Sequence, residues 1–573
     1  MRYLVLATDY DGTLAHDGRV DQPTLDALKR CRESGRKLVL VTGREIPDLQ
    51  TVFDGFDLFD LVVAENGALL YNPATKQEKP LAECTPEPFR AALVGAGVPC
   101  SFGRVIVATW VPHDKVVMEN IQRFGLELQV IFNKGAVMIL PSGVNKASGL
   151  KCALDELHMS LHNVVAVGDA ENDHALLASC EAGVAVANAL PMLKERADLV
   201  TVGDHGAGVT ELIDRLVDDD LASLDDKLTR HRVVLGNATS DDHEVTVRPF
   251  GERVLVTGRS GRGKSTLTNA FLERLAANKY QFCVFDPEGD YDLLESAVAF
   301  GNHHEPPNIE QLAHLLETPA SNAIANLVGV PLDERPKQFV TLLSRILDLR
   351  SRLGHPHWMV IDEAHHVLPA GWKLSEAALP KMLDRTWFVT LEANLMSPLI
   401  LAEMDTVIAV GENPAELLEI FCEAVNETPP RCEFEFETGE AVIWRRSLGE
   451  QPYLFKVKPG ELQQRRHSRK YAEGEIDPEH SFYYRGPEKK LNLRAHNLRM
   501  FLQLGEGVDD ETWLHHLHKG DYSQWFREVI KDPELADAAK SELEVDGASA
   551  VEGRKRIREL VEERYVLPTA NTK

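Results

Sequence analysis

Two apolar runs far apart in the chain each end in a loop whose residue types suit phosphate chemistry, and this recurrence limits the folds available. The first is Tyr3-Leu4-Val5-Leu6-Ala7, followed by Asp9-Tyr10-Asp11-Gly12-Thr13. The second is Arg253-Val254-Leu255-Val256-Thr257, followed by Gly258-Arg259-Ser260-Gly261-Arg262-Gly263-Lys264-Ser265. A short apolar run closed by turn residues reads as a buried strand of a parallel sheet, and open α/β sheets gather ligands at the carboxyl ends of such strands. Two separate α/β cores are therefore expected, and 573 residues leave room for three to four domains.

Composition narrows the setting. No run of eighteen apolar residues is present and the start lacks a signal-peptide layout, so a cytoplasmic chain without membrane segments is expected. Eight cysteines without a CxxC pair fit reduced thiols. A formal charge of −27 disfavours broad adhesion to nucleic acid or anionic lipid, leaving open a local basic groove.

In the first core, Asp9 and Asp11 lie two residues apart at a strand end, where they can face one pocket and share Mg²⁺. One carboxylate can attack phosphorus while the other donates and later removes a proton. Lys37–Val41 reads as a strand ending in Thr42-Gly43-Arg44, whose hydroxyl and amides could hold a phosphate. Lys146 opens an amphipathic helix, and Val164–Val167 leads into Gly168-Asp169-Ala170-Glu171-Asn172-Asp173, a third carboxylate cluster.

These four motifs, in this order over residues 1 to about 215, resemble the haloacid dehalogenase superfamily, and in particular its Cof-like, type IIB sugar-phosphatase branch. The stretch Ala64-Glu65-Asn66-Gly67-Ala68 also looks like that branch. The resemblance implies Asp9 as nucleophile and Asp11 as acid/base, with Thr42, Gly43, Lys146 and Asn172 at the phosphate. It implies Asp9, Asp11, Asp169 and Asp173 around the metal, the last as a supporting carboxylate. A Rossmann-like core over 1–81 and 144–217 would carry an α+β cap over 82–143, which selects a small phosphorylated substrate. Asn133, Lys134 and His113 of the cap could reach the pocket.

After a linker at 218–234, residues 235–455 read as a P-loop NTPase domain of α/β type. Glycine-rich amides at a helix start cradle phosphates, so Gly258, Ser260, Gly261, Gly263, Lys264, Ser265 and Thr266 are expected to bind ATP. Lys264 would meet the β/γ-phosphates and Ser265 the Mg²⁺. The strand Trp358–Ile361 ends in Asp362-Glu363, giving a second metal carboxylate and a group to orient or deprotonate the attacking water. The order of these motifs, with Phe282–Tyr291 between them, resembles HerA/FtsK-like ATPases. That group often forms rings with an arginine supplied in trans, for which Arg345, Arg350 and Arg385 are candidates. Its polar sensor would fall on Thr390, Glu392 or Asn394.

Residues 456–573 read as a mostly helical module. The basic run Gln463–Lys470 with Phe482-Tyr483-Tyr484-Arg485 could grip nucleic acid, and His515, His516 and His518 suggest a metal site; a solvated charge run and a structural histidine cluster are the plainer readings. The chain as a whole is expected to be a phosphohydrolase joined to an ATPase, with polynucleotide end processing or a nucleotide-dependent DNA-associated scaffold as alternatives.

Overall fold

The computed structural model describes residues 1–133, 135–259, 262–292, 294–371, 383–432, 434, 436–437, 439–460, 476, 480–530, 532–541 and 549–565. Ser260, Gly261, Lys134 and the basic run at 463–470 lie outside the described residues. The chain forms two units: Met1–Lys264 with Arg274–Lys458, and Ser265–Glu273 with Pro459–Lys573.

Within the first unit, eight strands make one sheet in the order Leu199–Val200, Ala182–Ala185, Val164–Gly168, Val5–Thr8, Lys37–Val41, Leu61–Ala64, Leu69–Asn72 and Gln77–Pro80. The first six run parallel and the last two return antiparallel. The Val, Leu and Ala side chains of the six strands from Ala182–Ala185 to Leu69–Asn72 are buried on both faces, each larger one worth about 1.5–3 kcal/mol on burial, while the edge strand Leu199–Val200 is partly exposed. A separate four-stranded antiparallel sheet, with helices Glu87–Gly95 and Asp114–Phe124, forms the expected α+β cap.

The expected linker is packed instead. Leu221, Leu224 and Leu228 belong to the core of the eight-stranded sheet, and Asp220 accepts from Arg36 Nη2 at 2.7 Å.

An eleven-stranded sheet spans Val233–Val457. Its centre is parallel, with Arg253–Thr257 between Thr406–Val410 and Thr386–Thr390, followed by Trp358–Ile361 and Phe282–Asp286. Tyr453–Val457 pairs with Val233–Ala238, which carries the sheet slightly past the anticipated 455.

In the second unit, the hairpin Phe482–Tyr484 and Leu493–Ala495 joins helices Leu498–Gly507, Asp510–Lys519, Asp521–Glu528, Pro533–Ser541 and Ala550–Tyr565. Asn497 and Asp509 cap two of these helices by accepting from Met500 N and Thr512 N. Phe482, Tyr484, Phe501, Trp513, Tyr522 and Trp525 form an aromatic core.

Candidate active sites

The first centre lies at the carboxyl ends of Val5–Thr8 and Val164–Gly168, which pair in register and bring Asp9 beside Asp169. Carboxylate oxygens of Asp9, Asp169 and Asp173 lie within 4.8 Å of one another, all buried. Lys146 Nζ donates to Asp9 Oδ1 at 2.6 Å and to Asp173 Oδ1 at 2.7 Å. The other oxygen of Asp173 accepts from the amides of Asp169 and Ala170, both at 3.0 Å, which holds the cluster on its turn.

Lys146 reaches this depth because its helix approaches the sheet closely. A side chain on Gly67 would lie 1.9 Å from the Asn145 carbonyl, and Gly67 has φ +104, so only glycine permits the contact. Asn145 caps the helix reciprocally with Ser148.

Burial, joined by the charges of Asp173 and Asp169 and opposed by Lys146, pushes Asp9 well above the carboxylate range. Burial opposes the charge on Lys146, but Asp173 and Asp9 outweigh it and raise the ammonium above its ordinary value. Three buried carboxylates against one ammonium leave excess negative charge on hard oxygen donors, a set that fits Mg²⁺.

Asp11 does not join this set. Its carboxylate is held in a two-bond fork by Arg44, Nε to Oδ2 at 2.7 Å and Nη2 to Oδ1 at 2.8 Å, and remains partly exposed. That leaves Asp11 outside the cluster expected to share the cation, in a position suited to proton transfer at the rim. Thr42 Oγ1 accepts from Arg44 N at 3.1 Å. Asn172 Nδ2 donates to Asn66 Oδ1 at 2.9 Å, while Asn66 Nδ2 and Asn172 Oδ1 are buried without a partner among the described residues. A Cβ on Gly43 would come 2.9 Å from Met138 of the cap, so the cap bears directly on the phosphate loop.

Arg44, Asn66 and Thr13 were missed as individual site residues in the sequence. Thr13 donates to Asp169 Oδ1 at 3.1 Å. Glu65 secures the cap by accepting from the amides of Arg104, Val105 and Ile106 at 2.7, 2.9 and 3.1 Å.

The second centre lies at the ends of Arg253–Thr257 and Trp358–Ile361, with Thr386–Thr390 between them. Gly263 has φ +110 and precedes Lys264, which opens the helix Lys264–Ala277 containing Ser265 and Thr266. Lys264 Nζ donates to the Gly258 carbonyl at 2.7 Å, and burial lowers its pKa against the pull of Glu363 and Asp362. Burial, reinforced by Glu363 and Asp286, pushes Asp362 up to about 8. Glu363 adopts φ +37, a strained conformation for this residue, and its Oε2 is buried with no hydrogen-bond partner among the described residues. His365 Nδ1 lies 3.4 Å from that oxygen and 3.2 Å from Thr390 Oγ1. Of the three polar sensor candidates, Thr390 thus stands next to the carboxylate through His365.

Arg350 and Arg385 are buried. Arg350 donates to Pro356 O and Asp384 O, and Arg385 lies over the Phe250 ring. Neither is available to a neighbouring subunit, and Arg345 pairs with Asp348 and Glu310.

Residues 6–88 and 114–213 match the family described as haloacid dehalogenase-like hydrolase, and residues 242–390 match the AAA ATPase domain. Phosphoglycolate phosphatase 2 of Saccharolobus solfataricus is 31% identical over 219 residues, covering 37% of this chain and 92% of that protein. The chain belongs to the haloacid dehalogenase-like hydrolases. Another relative of this hydrolase is the phosphoglycolate phosphatase of Methanothermobacter thermautotrophicus, 28% identical over 222 residues, 37% of this chain and 98% of that one. A solved haloacid dehalogenase-like hydrolase from Bacteroides thetaiotaomicron aligns at 20% identity and a TM-score of 0.33, covering 37% of this chain and 99% of that one. The hydrolase is a phosphohydrolase joined in one chain to an AAA-type ATPase domain. No described helix is long and apolar enough to cross a membrane.

Proposed function

We propose that the N-terminal domain hydrolyses a small phosphomonoester through an aspartyl phosphate on Asp9, and that the second domain hydrolyses ATP. The observation that carries the first half is the buried Asp9–Lys146–Asp173 chain of contacts at 2.6 and 2.7 Å. It orients Asp9 as nucleophile while Lys146 offsets charge on the attacking carboxylate and the phosphate. Asp11, held by Arg44, protonates the leaving oxygen and then removes a proton from water as the aspartyl phosphate is cleaved. Thr42, Gly43 and Asn172 contact the phosphate. Asp9 and Asp169, with Asp173 in support, would hold Mg²⁺, which when bound stabilises charge on the phosphoryl oxygens.

The relatives named phosphoglycolate phosphatases favour a small anionic substrate. The Cof-like, type IIB resemblance places sugar phosphates beside phosphoglycolate as candidates. In the ATPase domain, Gly258 to Thr266 hold the nucleotide, Ser265 and Asp362 the Mg²⁺, and Glu363 orients the attacking water. The motif order supports a HerA/FtsK-like subgroup. We place the phosphatase core at 1–81 and 144–217 with the packed segment that continues it to Leu228, the cap at 82–143, the ATPase domain over the sheet from Val233 to Val457 and the helical module after it.

End processing by a kinase–phosphatase pair needs a carboxylate free to act as acceptor base. Asp286, one of two candidates, already accepts from the amides of Glu288, Gly289 and Tyr291 at 3.2, 2.8 and 2.8 Å, which supports ATP hydrolysis by water instead.

The test is a phosphatase screen over phosphoglycolate, sugar phosphates, nucleotides and 3′-phosphorylated oligonucleotides, with and without Mg²⁺. Turnover of the small esters that Asp9→Asn abolishes, with ATP hydrolysis intact, is expected. Turnover confined to oligonucleotide ends would replace this reading with end processing.

A further inference from the structure

Neither catalytic centre uses the run Phe482–Arg485 or the histidines of the helix Asp510–Lys519. The second unit brings them together around a cavity of about 560 Å³, lined by Ser481, Tyr483, Arg485, Lys489, His515 and Lys519 among others. In a chain of formal charge −27 this cavity carries three permanent cations against one carboxylate, Asp521. Asp521 is tied into the wall: His516 Nδ1 donates to its Oδ2 at 2.7 Å, while His516 Nε2 accepts from Arg485 N at 3.0 Å. Both nitrogens of His516 are thereby used, so it is a structural histidine in the cavity wall.

Among the described residues, Arg485, Lys489 and Lys519 have no carboxylate within ion-pair distance, and nearby Glu488 pairs with Lys490. Arg485 stacks over Tyr483 at 4.9 Å, presenting a flat cationic and aromatic surface.

We propose that this cavity binds a small phosphomonoester as a second phosphate site, separate from both catalytic centres. The net local excess of two positive charges matches a phosphomonoester, which carries about −1.5 to −2 at neutral pH. The acidic remainder of the chain favours a compact dianion over a polyanionic strand.

Calorimetric titration of the full chain with inorganic phosphate, AMP and a hexose phosphate tests this, comparing the parent with Lys489→Glu/Lys519→Glu. Lys519→Ala, a milder change at an exposed residue, is the folding control. The expected result is loss of one binding site in the charge-reversed protein, at least tenfold weaker binding at that site in Lys519→Ala, and an unchanged phosphatase KM. AMP or hexose phosphate binding without inorganic phosphate would still assign the site, to one ester source. Equal stoichiometry in parent and variant, or tight binding of a single-stranded oligonucleotide with none of the small anions, would overturn it.

A second observation concerns the seam between the two sheets of the first unit. The strands that lead to Asp9 and Asp169 begin beside Arg2 and Asn163, and those that lead to Asp286 and Asp362 begin beside Gln281 and His357. The helix opened by Lys264 ends at Asn278. Residues next to these starting ends bridge the two sheets. Glu181 accepts from Arg2 Nη2 at 2.5 Å and Tyr280 OH at 2.7 Å, and meets His162 Nδ1 at 2.7 Å. His162 Nε2 reaches the Asn278 carbonyl at 2.7 Å, its ring stacked on Tyr280 at 3.7 Å. His355 Nε2 meets the His158 carbonyl at 3.1 Å.

The geometry points to this seam as the element that couples the nucleotide state of the ATPase domain to the phosphatase rate, an inference that rests on the two activities proposed above. Phosphatase kcat/KM measured with and without a non-hydrolysable ATP analogue tests it, in the parent, Tyr280→Phe and Lys264→Ala. At least a threefold analogue effect is expected in the parent, lost in both variants, with basal phosphatase in Tyr280→Phe within twofold. A parent that binds the analogue, turns over phosphoester and shows no effect overturns the coupling. So does a Tyr280→Phe protein that keeps the full effect. Absence of phosphatase activity or analogue binding would count against the proposed activities instead.

Discussion

At the phosphatase centre a lysine from the same fold sits between two carboxylates, whereas at the nucleotide centre the lysine turns to a backbone carbonyl and leaves the carboxylates to themselves. Lys146 lies within 2.7 Å of both Asp9 and Asp173 and is about 1% exposed. Lys264 bonds Gly258 O, while burial and mutual repulsion raise Asp362 and strain accompanies Glu363. Both centres occupy strand ends of parallel sheets, so topology alone does not set this difference. It teaches that the first site is preorganised by its own charges, and that its lysine serves stability as well as chemistry.

The largest expected effect follows from that contrast. Lys146→Met strands Asp9 and Asp173 as buried charges, so phosphatase activity should fall by about 10³-fold and stability by about 3–5 kcal/mol. Lys264→Met should cut ATP turnover comparably, yet cost less than about 1 kcal/mol because only one hydrogen bond is lost. Chemical denaturation of both variants checks the pair, and equal destabilisation would erase the distinction.

A smaller effect is expected at Glu363. Glu363→Gln removes the strained, buried carboxylate beside His365 without changing its shape, so ATP hydrolysis should fall about 10²-fold with binding retained. The phosphatase rate without nucleotide should not change. Wild-type ATP turnover in this variant would assign water activation elsewhere.

What could be read from sequence was local. Asp9, Asp169 and Asp362 each follow an apolar strand directly, and the strand–loop boundary placed them, while the glycine spacing of the loop placed Lys264. The fork from Arg44 to Asp11 joins residues thirty-three apart, and the bond from Thr13 to Asp169 spans 156, so neither left a periodic signal. The segment at 218–234 was read as linker because three aspartates open it, yet Leu221, Leu224 and Leu228 recur at helix-like spacing and are buried. Buried arginines misled in the same way. Arg350 and Arg385 look like free surface cations until the carbonyls and the aromatic ring that hold them are seen.

The smallest effect concerns pH and sets the seam apart from both catalytic centres. At the seam, burial lowers His355 to about 4 and His357 well below its ordinary value, with His158, His162, Arg350 and Arg385 facing them unfavourably to further charge. Glu181 is also held low, because His162 and Arg2 overcome the opposing effect of burial. For the histidines the unfolded chain binds more protons below about pH 6.5, so stability present above that pH is lost as it falls toward 4. Glu181 acts in the same direction below the ordinary carboxylate range. At the catalytic centres the sign reverses, since Asp9 is raised and Asp362 lies near 8, so their contribution is present below the ordinary carboxylate range and declines as pH rises through the folded values. Denaturation midpoints should therefore carry an acid limb from the seam between pH 6.5 and 4.5, on the order of 1–3 kcal/mol deep, set against an alkaline limb of opposite sign from the catalytic carboxylates that runs from the ordinary carboxylate range up to about 8. His357→Gln keeps an acceptor for the Gln281 amide and should flatten the acid limb while leaving the alkaline one. An unchanged acid limb in that variant would move the titration away from the seam.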